Sequence, residues 1–527
     1  MRKEAIAEAI KSQSAGAGAG GQATPPPINS LLKAASPSPS PSPLQQFQSP
    51  SPCIHSAPKT PKSPFVSRVM TPIASPMKKA IACLEELGQL TKLDLQDSWL
   101  PITESRNGNA YYAAFHTLSS GLGVQALVLP FAFTALGWTW GIICLSIAFV
   151  WQLYTLWLLI QLHESVAGTR YGRYLRLSMA AFGEKVGKAL ALFPTMYLSG
   201  GTCVTLIMIG AGSMKMFFKI LGGGDPLTTL EWYAVFTTSS IVLAQLPNLN
   251  SIAGVSLVGA ISAVAYCTVT WAVSVVKHRP ADVSYDPVEV DSPVGRVCNI
   301  LNALGIIAFT FRGHNLVLEI QSTMPSSMKH PSSLPMWRGV KVSYLIISCC
   351  LFPLAVGGYW AYGNLMPTNG GILTALDKYH GYDTSKVTLG IINLLVVIHS
   401  LTSFQIYAMP VFDNLEFRYT SKKNRPCPWW LRVALRLFFG GLAFFIAVAL
   451  PFLPSLAGLI GGIALPVTLA YPCLMWIMMK TPKRYSPMWF VNWFLGILGL
   501  ALSILLVFGA IWMIATQGIK VHFFKPQ

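Results

Sequence analysis

The uncharged stretch "FHTLSSGLGVQALVLPFAFTALGW", Phe115 to Trp138, has a polar, glycine-rich centre within an otherwise apolar run. Gly121 and Gly123 follow two serines, and a glycine in a helix interior costs about 1 kcal/mol relative to alanine. Within hydrocarbon, irregular backbone is tolerated only where protein covers it or where it lines a cavity. The stretch therefore indicates either an unwound segment of a membrane helix or close helix packing through small residues.

A second apolar run, "IIAFTFRGHNLVLEIQSTMP", is interrupted in a similar way. It places Arg312, Gly313 and His314 in the middle of a hydrophobic segment. The two interruptions are separated by almost the same number of residues as the starts of their apolar runs. Interrupted helices at matching positions in two halves are typical of secondary transporters with inverted repeats, in which the substrate binds near the bilayer midplane between the breaks.

The composition is that of a membrane protein, because the chain of 527 residues is 53% hydrophobic and only 11% charged. A helix needs roughly 20 apolar residues to cross the hydrocarbon core. Eleven spans are predicted on this basis, at residues 110–136, 139–161, 189–213, 230–247, 251–276, 297–321, 342–362, 387–412, 431–450, 453–479 and 488–515.

The positive charges predict the orientation of these spans. With a cytosolic amino terminus, the loops after even-numbered spans hold most of the cationic clusters, such as Arg170, Arg173 and Arg176. The carboxyl terminus is then extracellular. This arrangement accounts for the net charge of +18 without a nucleic-acid partner. No cleaved signal peptide is predicted, because the first residues lack an apolar core.

Four regions are predicted along the chain. Residues 1–73 form a disordered, Pro- and Ser-rich cytosolic arm, and 74–104 an amphipathic juxtamembrane segment. Residues 105–518 form the eleven-helix transporter domain in the lipid bilayer, and 519–527 a short extracellular tail. The repeated Ser-Pro and Thr-Pro pairs of the arm are either targets of proline-directed kinases or part of an inert tail.

The exposed backbone at the breaks suggests how a substrate is held. Free N–H groups at the amino end of a half-helix suit a carboxylate, and free carbonyls at an opposing carboxyl end suit an ammonium. An α-amino acid carries both groups. The predicted substrate-binding residues are Ser119, Ser120, Gly121, Leu122, Gly123, Gln125, Tyr197, Phe309, Phe311, Arg312 and Gly313.

Ionisable residues within membrane spans are costly, so each is a functional candidate. Arg312 either attracts a substrate carboxylate or holds a gate, or it pairs with Glu319 or with backbone carbonyls. Asp413, at the inner end of its span, is expected to face water and cytosolic bases. The candidates for proton coupling are His116, His314, Glu319 and His399. A lone buried histidine is nevertheless more often structural, although imidazole titrates near physiological pH.

A sodium-coupled alternative depends on the hydroxyl oxygens of Ser400, Thr402 and Ser403. The ten cysteines show no metal-ligand spacing and are interpreted as packing residues. No nucleophile–base set, phosphate-binding loop or metal cluster is recognisable in the sequence. We therefore expect no enzyme activity and no cofactor other than the coupling ion.

The motifs "GIIAFTFRGHNLVLEIQSTMPSS", "FQIYAMPVFDNLE" and "GLIGGIALPVTLAYPCLMW", together with the opening stretch, closely resemble the plant lysine/histidine transporter-like branch of the amino acid/auxin permease family. This family lies in the amino acid-polyamine-cation superfamily, and the resemblance covers roughly residues 105 to 515. It implies an all-α, LeuT-like fold of eleven transmembrane helices, a 5+5 inverted repeat with broken helices 1 and 6 plus one extra helix. It also implies proton-coupled amino acid import, usually at the plasma membrane.

The chain departs from the family pattern in the first span. Members usually carry Gly-x-Gly there; the first glycine matches Gly123, and the second is replaced by Gln125. Gly121 stands where a larger residue is usual. We expect Gln125 either to narrow the pocket or to hydrogen-bond the substrate. Two alternatives stay open: an amino acid receptor that signals through the arm, and a carrier of auxin-like weak acids.

Overall fold

The computed structural model describes residues 97–166, 168–224, 226–246, 249–286, 292–327, 330–367, 370–451, 457–517 and 524. All regular structure in these ranges is helical. The predicted cytosolic arm, most of the juxtamembrane segment (residues 74–96) and almost the whole extracellular tail lie outside the described residues.

The first eight helices of the described ranges are α1 (Ala110–Gly121), α2 (Leu129–Leu162), α3 (Tyr174–Phe182), α4 (Glu184–Gly222), α5 (Thr229–Leu243), α6 (Ala253–Val276), α7 (Pro293–Thr310) and α8 (His314–Ser322). The next seven are α9 (Ser333–Tyr362), α10 (Gly371–His380), α11 (Lys386–Lys423), α12 (Trp429–Ala449), α13 (Ala457–Leu465), α14 (Tyr471–Lys480) and α15 (Pro487–Gln517). A 3₁₀ turn, Val124–Val128, precedes α2, and a π-helical turn, Pro466–Ala470, joins α13 to α14.

Nine helical segments of the described chain are long and apolar enough to cross a membrane. One of them, Ala110–Leu162, contains two predicted spans, and Gly137 lies at their boundary with a non-helical φ of 67°. The predicted fourth span is α5, whose 15 residues are fewer than a bilayer crossing usually needs. An all-helical membrane protein is confirmed, whereas the count of eleven spans stays a prediction.

The surface and the interior have the distribution of side chains expected in lipid. Large apolar side chains such as Trp140, Val150 and Phe193 are about two-thirds exposed, at 64%, 65% and 66%. Many serines, threonines, glutamines and histidines of the same helices are buried instead. Hydrocarbon solvates the apolar exterior, so polar groups are concentrated between helices, where they find hydrogen-bond partners.

Both predicted helix breaks are present. Helix α1 ends at Gly121, and Leu122 and Gly123 are non-helical before the 3₁₀ turn. Residues 311–313 separate α7 from α8, and Gly313 adopts a φ of 108°, which side-chain-bearing residues rarely adopt. The close-packing interpretation also holds at Gly121, because a Cβ there would lie only 2.8 Å from the Ile347 Cδ1 of α9.

Helix packing brings the two breaks together at the centre of the protein. Helix α11 packs along α4 and α6, while α1 lies between α6 and α9. Helix α7 packs against α2 and α13. At the meeting point, a Cβ added to Gly313 would lie 3.4 Å from the Ser120 Oγ atom. The end of α1 and the start of α8 are therefore neighbours.

Candidate functional site

The side chain of Gln125 connects the two breaks. Its Oε1 atom accepts a 2.7 Å hydrogen bond from the guanidinium of Arg312, and its Nε2 atom lies 3.5 Å from the carbonyl of Thr310 at the end of α7. The amide folds back over Gly123, where a Cβ would overlap it. The glycine retained at position 123 therefore makes room for the glutamine at position 125.

Arg312 is a buried cation at the second break, with an exposed fraction of 2%. Its guanidinium donates to Gln125 and, over 2.6 Å, to Thr202 Oγ1, and it lies 4.1 Å from the centroid of the Phe309 ring. Within the described ranges, no carboxylate lies within 4.0 Å of it, so the pairing with Glu319 considered from the sequence is absent. Its buried Nε atom also has no protein hydrogen-bond partner there. A buried charge costs several kcal/mol unless an opposite charge compensates it.

The carbonyl end of α1 is capped by α11. The Ser403 hydroxyl donates to the Ser119 carbonyl over 3.0 Å, and the Tyr407 hydroxyl donates to the Ser120 carbonyl over 2.8 Å. These two donors are four residues apart and therefore lie on one face of α11. The carbonyls expected to be free for a substrate ammonium thus already accept hydrogen bonds, because the neighbouring helix supplies hydroxyl groups.

The amino ends of the second half-helices have no such side-chain caps. Gly123 precedes the 3₁₀ turn and Gly313 precedes α8, and neither end receives a hydrogen bond from a capping side chain. Helix amino ends carry partial positive charge and favour anions. Together with Arg312, these ends make the region between the breaks better suited to a carboxylate than to a cation.

The structure places the remaining predicted contact residues differently. Phe309 lies against Arg312, but the ring of Phe311 packs 6.3 Å from that of Phe149. The ring of Tyr197 stacks 5.8 Å from that of Phe193. Leu122 is fully buried among the core side chains. Direct substrate contact by Phe311, Tyr197 and Leu122 therefore stays a prediction with weaker geometric support than that of Arg312.

The three candidate histidines are buried, and each is hydrogen-bonded. His116 Nδ1 lies 2.7 Å from Ser256 Oγ, and His314 Nε2 lies 2.9 Å from Thr155 Oγ1. His399 makes two contacts: its Nδ1 lies 3.1 Å from the Gly259 carbonyl oxygen, and its Nε2 lies 3.2 Å from Ser403 Oγ. Of the three, His399 therefore bonds to a side chain that itself caps a helix break.

A cavity lies beyond the second break, between α3, α4, α8 and α11. Asn315 and Glu319 of α8 line it together with Ser199, Arg173 and Asp413. Asp413 is only 1% exposed, so the expectation that it faces water is wrong. Asp413 is nevertheless paired with Arg173, a base in a loop predicted to be cytosolic: the Arg173 NH2 atom donates to Asp413 Oδ1 over 3.1 Å.

Asp97 extends this ionic network outside the membrane-spanning helices. Its carboxylate accepts hydrogen bonds from Arg173 at 3.0 Å and from Arg176 at 2.8 Å. Burial by itself raises the pKa of Asp97, but the charges of Arg173 and Arg176 outweigh burial and hold the pKa below its ordinary value. The carboxylate therefore remains ionised and joins the segment before α1 to the loop before α3.

Several residues around the breaks were missed in the sequence. Thr202 bonds Arg312, and Tyr407 caps α1. The amide of Gln152 lies 3.5 Å from the Arg312 carbonyl and donates to the Tyr344 hydroxyl over 2.6 Å. Their one local signal is a polar group within an apolar run, and that signal does not tell which helix the group faces.

Comparisons with known proteins agree with this architecture. Residues 106–516 match the sequence profile described as "Transmembrane amino acid transporter protein". The chain belongs to this family. It is 58% identical over 489 residues to "Lysine histidine transporter-like 8" of Arabidopsis thaliana, which covers 91% of this chain and 94% of the relative. It is 46% identical to "Lysine histidine transporter-like 7" of the same plant, over 82% of this chain and 90% of the relative.

This family membership confirms the resemblance seen in the sequence motifs. Because the relatives are named as transporters, the protein is a membrane transporter and not an enzyme. A solved structure of Mhp1, a nucleobase-cation-symport-1 family transporter in a closed conformation with bromovinylhydantoin bound, is similar with a TM-score of 0.51 and 11% identity. The match covers 80% of this chain and 96% of that one, and it supports the LeuT-like fold.

Proposed function

We propose that the protein imports amino acids across the plasma membrane by proton-coupled symport, through alternating access to a site between the two breaks. The family and the fold support amino acid transport. The observation that carries the proposed site is Arg312, a buried cation that lies between the breaks without a carboxylate partner among the described residues.

In this proposal the substrate carboxylate supplies the missing negative charge. It displaces the Gln125 amide from the guanidinium and can use the unpartnered Nε atom as well. A paired fork of Arg N–H donors matches a carboxylate in geometry and charge. The uncapped amino end of α8, which begins directly after Gly313, adds a favourable dipole.

The substrate ammonium is proposed to lie at the carboxyl end of α1. There it can bond the second lone pairs of the Ser119 and Ser120 carbonyls, whose first lone pairs accept from the hydroxyls of Ser403 and Tyr407. The names of the relatives refer to lysine and histidine. In the proposed site, recognition depends on the carboxylate and ammonium groups that all α-amino acids share. We therefore propose a neutral or cationic amino acid as the substrate and do not distinguish lysine from histidine.

Uptake into proteoliposomes tests this function. The purified protein is supplied with each of the twenty amino acids, and with auxin, under an imposed pH gradient that is acidic outside. We expect saturable uptake of at least one neutral or cationic amino acid that increases with the gradient. Uptake that is insensitive to the gradient would overturn proton coupling, and saturable binding without accumulation would favour the receptor.

A further inference from the structure

We propose that His399 carries the coupled proton and that Ser403 transmits its protonation state to the broken end of α1. This inference rests on the proposed function and assigns the coupling to one of several candidate groups. The three participants form a continuous chain: His399 Nε2 lies 3.2 Å from Ser403 Oγ, which lies 3.0 Å from the Ser119 carbonyl oxygen.

The first step of the argument is the proton on Nδ1. This atom lies 3.1 Å from the carbonyl oxygen of Gly259, which can only accept a hydrogen bond. Nδ1 therefore carries a proton in this arrangement. In the neutral imidazole the second nitrogen, Nε2, is then an acceptor, and a proton taken up by the ring must bind at Nε2.

The second step concerns the single hydroxyl proton of Ser403. When His399 is neutral, its Nε2 lone pair competes with the Ser119 carbonyl for that proton. When His399 is protonated, Nε2–H donates to Ser403 Oγ, and the hydroxyl proton is then free to bond Ser119. The oxygen of Ser403 keeps a second lone pair for the Ser119 hydroxyl, which lies 3.3 Å away.

Protonation of His399 thus strengthens the cap on the last turn of α1. That turn holds Ser120, whose hydroxyl lies near Gly313 at the second break. Fixing the turn favours the arrangement in which both breaks face one substrate. Proton binding and substrate binding then promote each other, since a coupling free energy acts equally in both directions.

His399 is buried, and each ring nitrogen has an oxygen within hydrogen-bond distance, the Gly259 carbonyl oxygen for Nδ1 and Ser403 Oγ for Nε2. Tyr266 of α6, an ionisable residue that is uncharged in its ordinary state, packs its ring 5.5 Å from that of His399. Among the described residues, no Asp, Glu, Lys or Arg side chain bonds His399. The negative carboxyl end of α1 and the Gly259 carbonyl stabilise the imidazolium.

Two transport assays separate coupling from substrate handling. Counterflow exchange requires binding and alternating access but no gradient, whereas accumulation against a concentration gradient requires the coupled proton. Labelled L-alanine and L-lysine serve as probes for the parent, His399→Gln, Ser403→Ala and Ser403→Thr. The matched control is His278→Gln, because His278 is exposed outside the helices.

We expect His399→Gln to retain counterflow and to lose pH-driven accumulation by about tenfold, and Ser403→Ala to lose accumulation to the same extent. Ser403→Thr, which keeps the hydroxyl, restores accumulation, and His278→Gln behaves as the parent. If His399→Gln accumulates substrate with the parent's pH dependence, His399 does not carry the coupled proton, whereas the proposed transport function is unaffected. Accumulation driven by a sodium gradient alone would also overturn it.

A measurement without substrate covers the case in which neither probe is transported. Nitrogen-15 NMR of histidine-labelled protein in detergent follows each imidazole between about pH 5 and pH 8. We expect a resonance, absent from His399→Gln, that titrates in the parent and moves in Ser403→Ala. If the His399 resonance does not titrate, His399 does not carry the coupled proton, whichever substrate is transported. If His399 titrates but the parent transports none of the twenty amino acids, the proposed transport function is wrong and the assignment of a titrating His399 is not.

Discussion

The side-chain amide of Gln125 accepts a 2.7 Å hydrogen bond from the guanidinium of Arg312, which lies 187 residues further along the chain. Both residues are buried, at 3% and 2% exposed. A hydrogen bond to a charged group contributes about 1.5–3 kcal/mol to stability. This bond therefore joins the two interrupted helices, and in the proposed mechanism a substrate carboxylate replaces it.

Gln125→Gly removes this bond and leaves the guanidinium open to substrate. We expect a lower KM for uptake and a free energy of unfolding reduced by about 1.5–3 kcal/mol. Uptake kinetics and thermal unfolding in detergent measure the two effects. Gln245→Gly is the control, because Gln245 is exposed and its side chain donates only to the Ile241 carbonyl of its own segment. Unchanged KM and unchanged stability would contradict the role given to Gln125.

Arg312→Ala removes the proposed partner of the substrate carboxylate. Loss of one member of a buried charged pair costs about 2–5 kcal/mol, so we expect kcat/KM for uptake to fall at least thirtyfold. Arg312→Lys keeps the charge without the planar fork, and its kcat/KM is expected to be intermediate. Arg338→Ala, at an exposed position of α9, should match the parent. Parent-like uptake by Arg312→Ala would show that the carboxylate binds elsewhere.

Gly313→Ala tests the backbone of the second break. Its φ of 108° is strained for any residue with a Cβ, at about 1–3 kcal/mol, and the added methyl group would touch Ser120. We expect reduced stability and a loss of uptake. Gly223→Ala is the comparison, because Gly223 also has a positive φ, of 69°, but has open space at its Cβ position. Equal uptake by the two variants would argue against a functional contact between the breaks.

Asp97→Asn tests the ionic network before α1. Because the pKa of Asp97 is held below its ordinary value, its carboxylate contributes stability above the unfolded pKa of about 3.9, and this contribution is lost as pH falls through the lower folded pKa. We expect Asp97→Asn to lower the unfolding temperature at pH 7.

The difference between Asp97→Asn and the parent should shrink in acid, below about pH 4. Thermal unfolding at several pH values measures it. Asp282→Asn, at an exposed position, is the control and should leave the unfolding temperature unchanged. A difference that is constant from neutral to acidic pH would mean that the charge of Asp97 does not stabilise the fold.

The fold was largely predictable because its signals are local. Each break is marked by residues of its own apolar run, and no knowledge of the neighbouring helices is needed. These residues are Gly121 and Gly123 in the first run, and Arg312 and Gly313 in the second. The length of the span predicted at residues 230–247 was overestimated, because its helix α5 has only 15 residues.

The contacts of the site were much less predictable, because they join distant parts of the chain. The spacing of Ser403 and Tyr407 places both on one face of a helix, but only the packing of α11 against α1 shows what that face caps. The burial of Asp413 likewise depends on Arg173, which reaches it from a loop 240 residues earlier.

Because a Cβ at position 123 would overlap the Gln125 amide, the effect of a substitution at either position depends on the residue at the other. Glutamine can occupy position 125 in this conformation only on a background that already has glycine at 123. A lineage that acquired a larger residue at 123 after the glutamine would have expelled the amide and separated it from Arg312. Ancestral reconstructions that combine glutamine at 125 with a larger residue at 123 should therefore lack the hydrogen bond between the Gln125 amide and Arg312.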